Sequence, residues 1–292
     1  MSAAEVAESE LVERVVDTAR YPLADPGGAG WAEVVARARH DLAEHGCCVL
    51  ADFVRPALQE ELRREGERIA PRAHYDVETV NAYNIDPGTE LPPDHPARRT
   101  LRRGNAFVAR DQIPAEAIIH RLYANPLFQR FLADCVRLPE IHPLADPLAG
   151  LTLNVVNPGM SHPWHFDTNE FAVSMLTQEP ESGGAFEYCQ DIRSAEAENF
   201  ADVAAVLDGR GEHLVRRITL RPGDLQLFHG RFSLHRVTEV GGERARHTAI
   251  FAYSTRPGVI GSVERTRQIF GRVLPEHVAA EGHAVRGDAL LD

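Results

Sequence analysis

The sequence predicts an α+β chain in which a mainly helical first half leads into a β-rich sandwich or jelly roll. Apolar residues up to about position 140 repeat at helical spacing. Beyond Leu151 the pattern changes to short β-segments punctuated by Gly, Pro and Asp, and it runs on to Ser254. Many short strands joined by tight turns mark a closed or two-layered sheet.

Taken in order, residues 1–30 are expected to be an acidic, partly disordered leader, and 31–140 the helical portion. Trp31 to His45 reads as an amphipathic helix stopped by Gly46, followed by a short apolar strand from Cys47 to Leu50. Asp52 opens a second helix over Pro56 to Ile69, with Pro in its first turn and Leu58, Leu62 and Ile69 at helical spacing. Pro71 to Arg99, rich in Pro, Asp and Asn, reads as irregular. Pro114 to Tyr123 and Pro126 to Val136 read as helices, the second carrying Leu127, Phe131 and Cys135 in i, i+4 steps. The β-core is placed at 145–257, with strands expected at Leu151–Asn157, Phe171–Gln178, Ala185–Tyr188, Leu214–Leu220, Leu225–Phe228, Leu234–Val240 and Arg246–Ser254. Glu196 to Leu207 is a helical insert, and 258–292 holds a helix from Val263 to Leu274 and a tail. The 292 residues are expected to form a single domain.

Composition excludes several classes of function. Apolar residues at 43% supply an ordinary packed core. Acidic side chains outnumber basic ones by 43 to 31, and a net charge of −12 repels phosphate backbones and anionic membranes, so neither nucleic acid nor a membrane is an expected partner. Met1 to Glu10 lacks the apolar centre of a signal peptide, and no stretch is apolar over the length of a membrane span, so a cytoplasmic location is expected. Cys47, Cys48, Cys135 and Cys189 show no C-x-x-C spacing and read as reduced and buried.

The most informative stretch is Ser161-His162-Pro163-Trp164-His165-Phe166-Asp167-Thr168-Asn169-Glu170-Phe171. In extended backbone, residues i and i+2 share a face, so His165 and Asp167 stand side by side. A second imidazole from a distant strand completes a metal triad, and His235 in Leu234-His235-Arg236-Val237 supplies it. His229 competes for the role, but Gly230 follows it directly and marks a turn, whereas His235 sits inside an apolar strand. Two His and one carboxylate on one triangular face leave adjacent positions open, which suits iron(II) holding a chelating co-substrate and O2. Arg221-Pro222-Gly223-Asp224 turns into Leu225-Gln226-Leu227-Phe228 upstream of His235, and Arg246-x-Thr248 follows on the next apolar strand.

This ordered set resembles the 2-oxoglutarate/iron(II) oxygenase superfamily, whose pattern is His-x-Asp, a distal His, then an Arg with Ser or Thr two positions later. The resemblance implies a double-stranded β-helix of cupin-like type, with Fe(II), 2-oxoglutarate and O2 as cofactors. It makes His165, Asp167 and His235 the iron ligands, and Arg246 with Thr248 the grip on the distal carboxylate of 2-oxoglutarate. A planar guanidinium matches a carboxylate as a fork, and Thr248 lies on the same strand face. Arg244 is the alternative clamp, nearer the turn. Asn154 either hydrogen-bonds the oxoglutarate or faces solvent from a strand end. Within the superfamily, His162-x-Trp164-His165-Phe166-Asp167-x-Asn169-Glu170-Phe171, Gly183-Gly184-Ala185-Phe186-Glu187-Tyr188 and Gly230-Arg231-Phe232-Ser233-Leu234-His235 resemble a bacterial natural-product group that includes free amino acid halogenases, such as those acting on lysine, and related hydroxylases. Those halogenases carry Gly where this chain has Asp167, and the vacancy binds chloride. A carboxylate at that position implies hydroxylation.

The expected substrate is a small polar molecule, an amino acid or biosynthetic intermediate. His162, Trp164, Arg102, Arg103 and Glu170 are the candidate substrate residues. All but His162 have a structural counter-reading: Trp164 as core on the strand face opposite His165, the arginine pair as a solvated face, and Glu170 as support for the ligands. The rival functions are a cupin-like metalloenzyme that does without 2-oxoglutarate, and the same oxygenase performing desaturation or cyclisation.

Overall fold

A computed structural model of the chain describes residues 3–75, 78–88, 90–282 and 290–291. Its helical portion begins earlier than expected. The segment read as a partly disordered leader forms α1 (Ala3–Val15), whose Leu11, Val12 and Val15, with Val16 beyond, are buried in the main core. Helix α2 (Ala29–His45) stops at Gly46, whose φ of 66° is left-handed and whose N–H closes on the Leu42 carbonyl. Strand β1 (Cys47–Leu50) follows, then α3 (Pro56–Ile69). Asp52 does not open that helix: its N–H donates to the Asp224 carboxylate at 2.8 Å, and Arg55 takes the cap position.

Strand β2 (Asn105–Val108) precedes α4 (Ile118–Ala124), which starts later than Pro114 because residues 114–117 form a turn closed from the Ala117 N–H to the Pro114 carbonyl. In α5 (Pro126–Cys135) the Asn125 side chain accepts from the N–H groups of Leu127 and Phe128, with Pro126 in the first turn. The β-rich part comprises β3 (Leu151–Val156), β4 (His162–His165), β5 (Ala172–Gln178), β6 (Phe186–Cys189), helix α6 (Phe200–Leu207), β7 (Arg216–Ile218), β8 (Leu225–Phe228), β9 (Leu234–Val237) and β10 (Arg246–Phe251). Helices α7 (Val263–Phe270) and α8 (Pro275–Ala279) follow.

These strands form two antiparallel sheets. One has six strands in the order β1-β8-β5-β10-β3-β2, the other four in the order β7-β6-β9-β4. Period-two alternation sorts the larger sheet into two chemistries. Leu151, Leu153 and Val155 of β3, Val173 and Met175 of β5, Leu225 and Leu227 of β8, and Ala249 and Phe251 of β10 join the α1, α2 and α5 side chains in the main core. The alternate positions, Thr152, Asn154, Ser174, Gln226 and Thr248, line a cavity of about 1000 Å³ whose far wall comes from the smaller sheet. The apolar face carries the stability, and the polar face is left for chemistry.

Among the described residues no helix is long and apolar enough to cross a membrane. All four cysteines are free and buried, and burial pushes the Cys47 thiol up to about 12.

Candidate metal centre

His165 and His235 face each other across the β4–β9 pair, in register. Their rings lie 4.1 Å apart, and His235 is also in register with Tyr188 of β6. Asp167 lies just past the end of β4, its N–H bonded to the Gly230 carbonyl at 3.1 Å. Its Oδ1 is 3.8 Å from His165 Nε2 and 3.6 Å from His235 Nε2. One ligand atom from each of the three residues lies within 4.8 Å of the others.

Both imidazoles are oriented by carbonyls two residues back. His165 Nδ1 lies 2.8 Å from the Pro163 oxygen, and His235 Nδ1 lies 3.0 Å from the Ser233 oxygen. A carbonyl only accepts, so each Nδ1 carries the hydrogen and each Nε2 turns its lone pair toward Asp167. Burial lowers the His165 pKa well below the ordinary value, keeping the ring neutral as a metal ligand must be.

A β-bulge shapes the surroundings. Between the His235↔His165 and Val237↔His162 pairs, β4 uses one residue more than β9. His162, which regular alternation would turn away from His165, is thereby brought to the same face, its ring stacked 3.8 Å from that of His165 at 19°. Pro163, with no N–H to donate, occupies the irregular stretch.

The second half of the site lies on β10 and β3. Arg246 is buried, donates to the Thr248 hydroxyl, and pairs with no acidic side chain among the described residues; burial lowers its pKa to about 10. Asn154, in register with Thr248, is buried on the cavity wall rather than facing solvent, 3.4 Å from His162 and 3.3 Å from Asn105. A buried cation without a counter-charge is costly, and a carboxylate-bearing ligand offsets that cost. The donor set therefore fits both groups: two neutral imidazoles and a carboxylate for iron(II), and a guanidinium with a hydroxyl for a keto diacid.

The competing residues sit elsewhere. His229 Nδ1 lies 3.8 Å from Asp191 and His229 does not line the cavity, and Arg244 is exposed and donates to the Glu179 carbonyl. Of the five candidate substrate residues, His162 and Arg103 line the cavity. Arg103 is buried, donates to the Gln268 carbonyl at 2.9 Å and lies 3.7 Å from Glu78. Arg102 alternates outward and is exposed, and so is Glu170. Trp164 points to the opposite face of β4, where it is buried with Phe166 and Leu234 beneath the Arg236 guanidinium, 4.6 Å over its ring. Those three do not line the cavity.

Gly230 was missed as a site residue. A Cβ there would fall 2.0 Å from Asp167 Oδ2, so only glycine lets the carboxylate take its place. The available signal was the glycine directly after His229, read only as a turn.

Fold and site together define a non-haem iron(II)- and 2-oxoglutarate-dependent oxygenase. The chain belongs to the HalD (Halogenase D) family, whose model matches residues 31–268. No curated protein matches it by sequence. Among solved structures, it is similar to the non-haem α-ketoglutarate-dependent carbocyclase SnoK from nogalamycin biosynthesis, with TM-score 0.51, 11% identity, and coverage of 74% of this chain and 82% of that one. It is also similar to a prolyl hydroxylase from Trichoplax adhaerens in complex with a hypoxia inducible factor peptide, with TM-score 0.50, 13% identity, and coverage of 77% and 90%. The epimerase SnoN from the same nogalamycin biosynthesis matches with TM-score 0.50, 13% identity, and coverage of 76% and 81%. These likenesses establish the fold.

Proposed function

We propose that the chain hydroxylates an unactivated C–H bond of a small polar substrate, a free amino acid or natural-product intermediate, and releases succinate and CO2. The observation that carries this reading is the convergence of His165, Asp167 and His235 in the cavity that also holds the buried Arg246, which has no acidic partner among the described residues. In this reading the two sheets are the layers of a double-stranded β-helix within one domain, and His165, Asp167 and His235 hold the metal. Arg246 and Thr248 hold the distal carboxylate of 2-oxoglutarate, with Asn154 beside it. Iron(II), 2-oxoglutarate and O2 together supply the oxidising power for C–H cleavage, and the protein supplies position.

Asp167 favours hydroxylation over halogenation. A carboxylate ligand there fills the position that the halogenases resembling this chain leave vacant. His162 and Arg103, both on the cavity wall, face the substrate. The free cysteines accord with a cytoplasmic location.

The test is oxygen uptake with succinate formation, together with mass spectrometry of oxygenated products from amino acids and cell extracts. Turnover is expected only with 2-oxoglutarate and Fe(II). Asp167→Gly is expected to abolish hydroxylation. Activity without 2-oxoglutarate, or wild-type turnover in Asp167→Gly, would overturn the proposal.

A further inference from the structure

Phe166 stands between two of the metal-binding candidates, and what holds it comes from distant parts of the chain. Its N–H donates to the Ala82 carbonyl at 3.0 Å, and its ring packs 5.4 Å from that of Tyr83. Over the ring lies the guanidinium of Arg193, 3.8 Å from the centroid. The Arg193 side chain is 0% exposed. Its Nε donates to the Arg231 carbonyl at 2.8 Å, and its Nη1 donates to Glu198 at 3.0 Å and to the Leu291 carbonyl at 2.9 Å. Its Nη2 has no hydrogen-bond acceptor among the described residues, which leaves the aromatic face as that edge's partner.

The strap is two-sided. The Leu291 N–H donates to Glu198, the carboxylate that also pairs with Arg193. Leu291 packs against the apolar cluster of Trp164, Phe166 and Leu234, behind the metal-binding face of β4 and β9. The backbone N–H of Arg193 donates to the Phe232 carbonyl at 3.1 Å, and Arg231 Nη1 donates to the Thr168 carbonyl at 3.3 Å. The Phe166 ring, the Gly230–Phe232 turn and residue 291 are thus tied to the buried Arg193, and Thr168 to the neighbouring buried Arg231. Burying a guanidinium so completely is expensive, and an apolar side chain of similar volume fills a core at lower cost.

We infer that Arg193, with Glu198 and the backbone of Leu291, is a positioning network that sets the metal affinity of the His165/Asp167/His235 centre by fixing Phe166. The inference rests on the metal role proposed above. Because Arg193 reaches the ligands only through Phe166 and the Gly230–Phe232 turn, its loss lets the His165–Asp167 spacing relax without removing a ligand. Partners of this kind change metal affinity by about 10–100-fold.

The experiment is anaerobic titration of the full-length protein with Co(II), followed by its visible absorption band, in parallel with thermal unfolding of the metal-free protein. Arg193→Met is expected to weaken Co(II) binding about tenfold or more and to alter the band. Arg193→Lys, which keeps a cation but loses the fork, should fall between it and wild type. Leu291→Pro, which removes the N–H to Glu198 and trims only half-buried packing on the Trp164 cluster, should weaken binding in the same direction and keeps the test decisive if Arg193→Met does not fold. A merely structural role would lower the unfolding temperature and leave Co(II) affinity unchanged well below it; that result, with wild-type affinity in Arg193→Lys and Leu291→Pro, would overturn the inference. Wild-type protein that bound no Co(II) would instead bring down the metal reading itself, and this inference with it.

Discussion

At residue 230 a single methyl group decides whether the carboxylate of Asp167 can sit beside the two imidazoles. Gly230→Ala is expected to displace that carboxylate and weaken Fe(II) or Co(II) binding about 10–100-fold, with little change in far-UV circular dichroism. Metal titration checks it. Arg246 poses the opposite trade. Its burial without a counter-charge costs stability until a carboxylate arrives, so Arg246→Met should raise the unfolding temperature of the ligand-free protein while abolishing 2-oxoglutarate binding. Calorimetry with and without 2-oxoglutarate would show both signs, and a less stable ligand-free variant would contradict the argument.

At the scale of elements, α1 and the bulge in β4 do work that local reading did not assign them. Leu11, Val12, Val15 and Val16 are all buried, and each such side chain is worth about 1.5–3 kcal/mol of apolar burial. Their sum is comparable with the whole net stability of a domain, about 5–15 kcal/mol. Deleting residues 1–16 is therefore expected to give aggregated protein or an unfolding temperature lower by about 10 °C or more. A fully soluble truncation with the wild-type melting curve would return α1 to the status of a leader. The bulge matters differently: it sets no stability of its own but swings His162 onto the face of His165, where a regular strand would have turned it away.

Across the whole molecule, the buried histidines link stability to pH. His247 is buried, and desolvation lowers its pKa from 6.5 to about 4. Between those values the unfolded chain binds the proton and the native one does not, so stability falls as pH drops from about 6.5 toward 4. The effect of this one group between pH 7 and pH 4.5 is about 2 kcal/mol. Denaturant unfolding at the two pH values should show more than that difference in wild type, reduced by about 2 kcal/mol in His247→Leu. His162 and His165 shift in the same direction, so part of the dependence persists in the variant.

That His165 and Asp167 share a face, that His235, Arg246 and Thr248 sit on strands, and that helices precede strands were legible in local periodicity, whereas the roles proposed for those residues came from a family resemblance. Residues i and i+2 of an extended segment share a face wherever that segment lies, and a polar residue within an apolar strand declares itself. Arg103 and Arg102 were equivalent as letters, and only the strand's alternation turned one to the cavity and the other to water. Trp164 lies off the cavity because alternation within β4 turns it to the face opposite His165, and Glu170 because it falls beyond the end of that strand, where it is exposed. Gly230 was legible only as a turn and Arg193 not at all, since their significance lies in what approaches them: a carboxylate oxygen in one case and an aromatic ring in the other. Local pattern determines which residues share a face; long-range packing decides which faces meet, and proximity between segments distant in sequence exists only after the chain has folded.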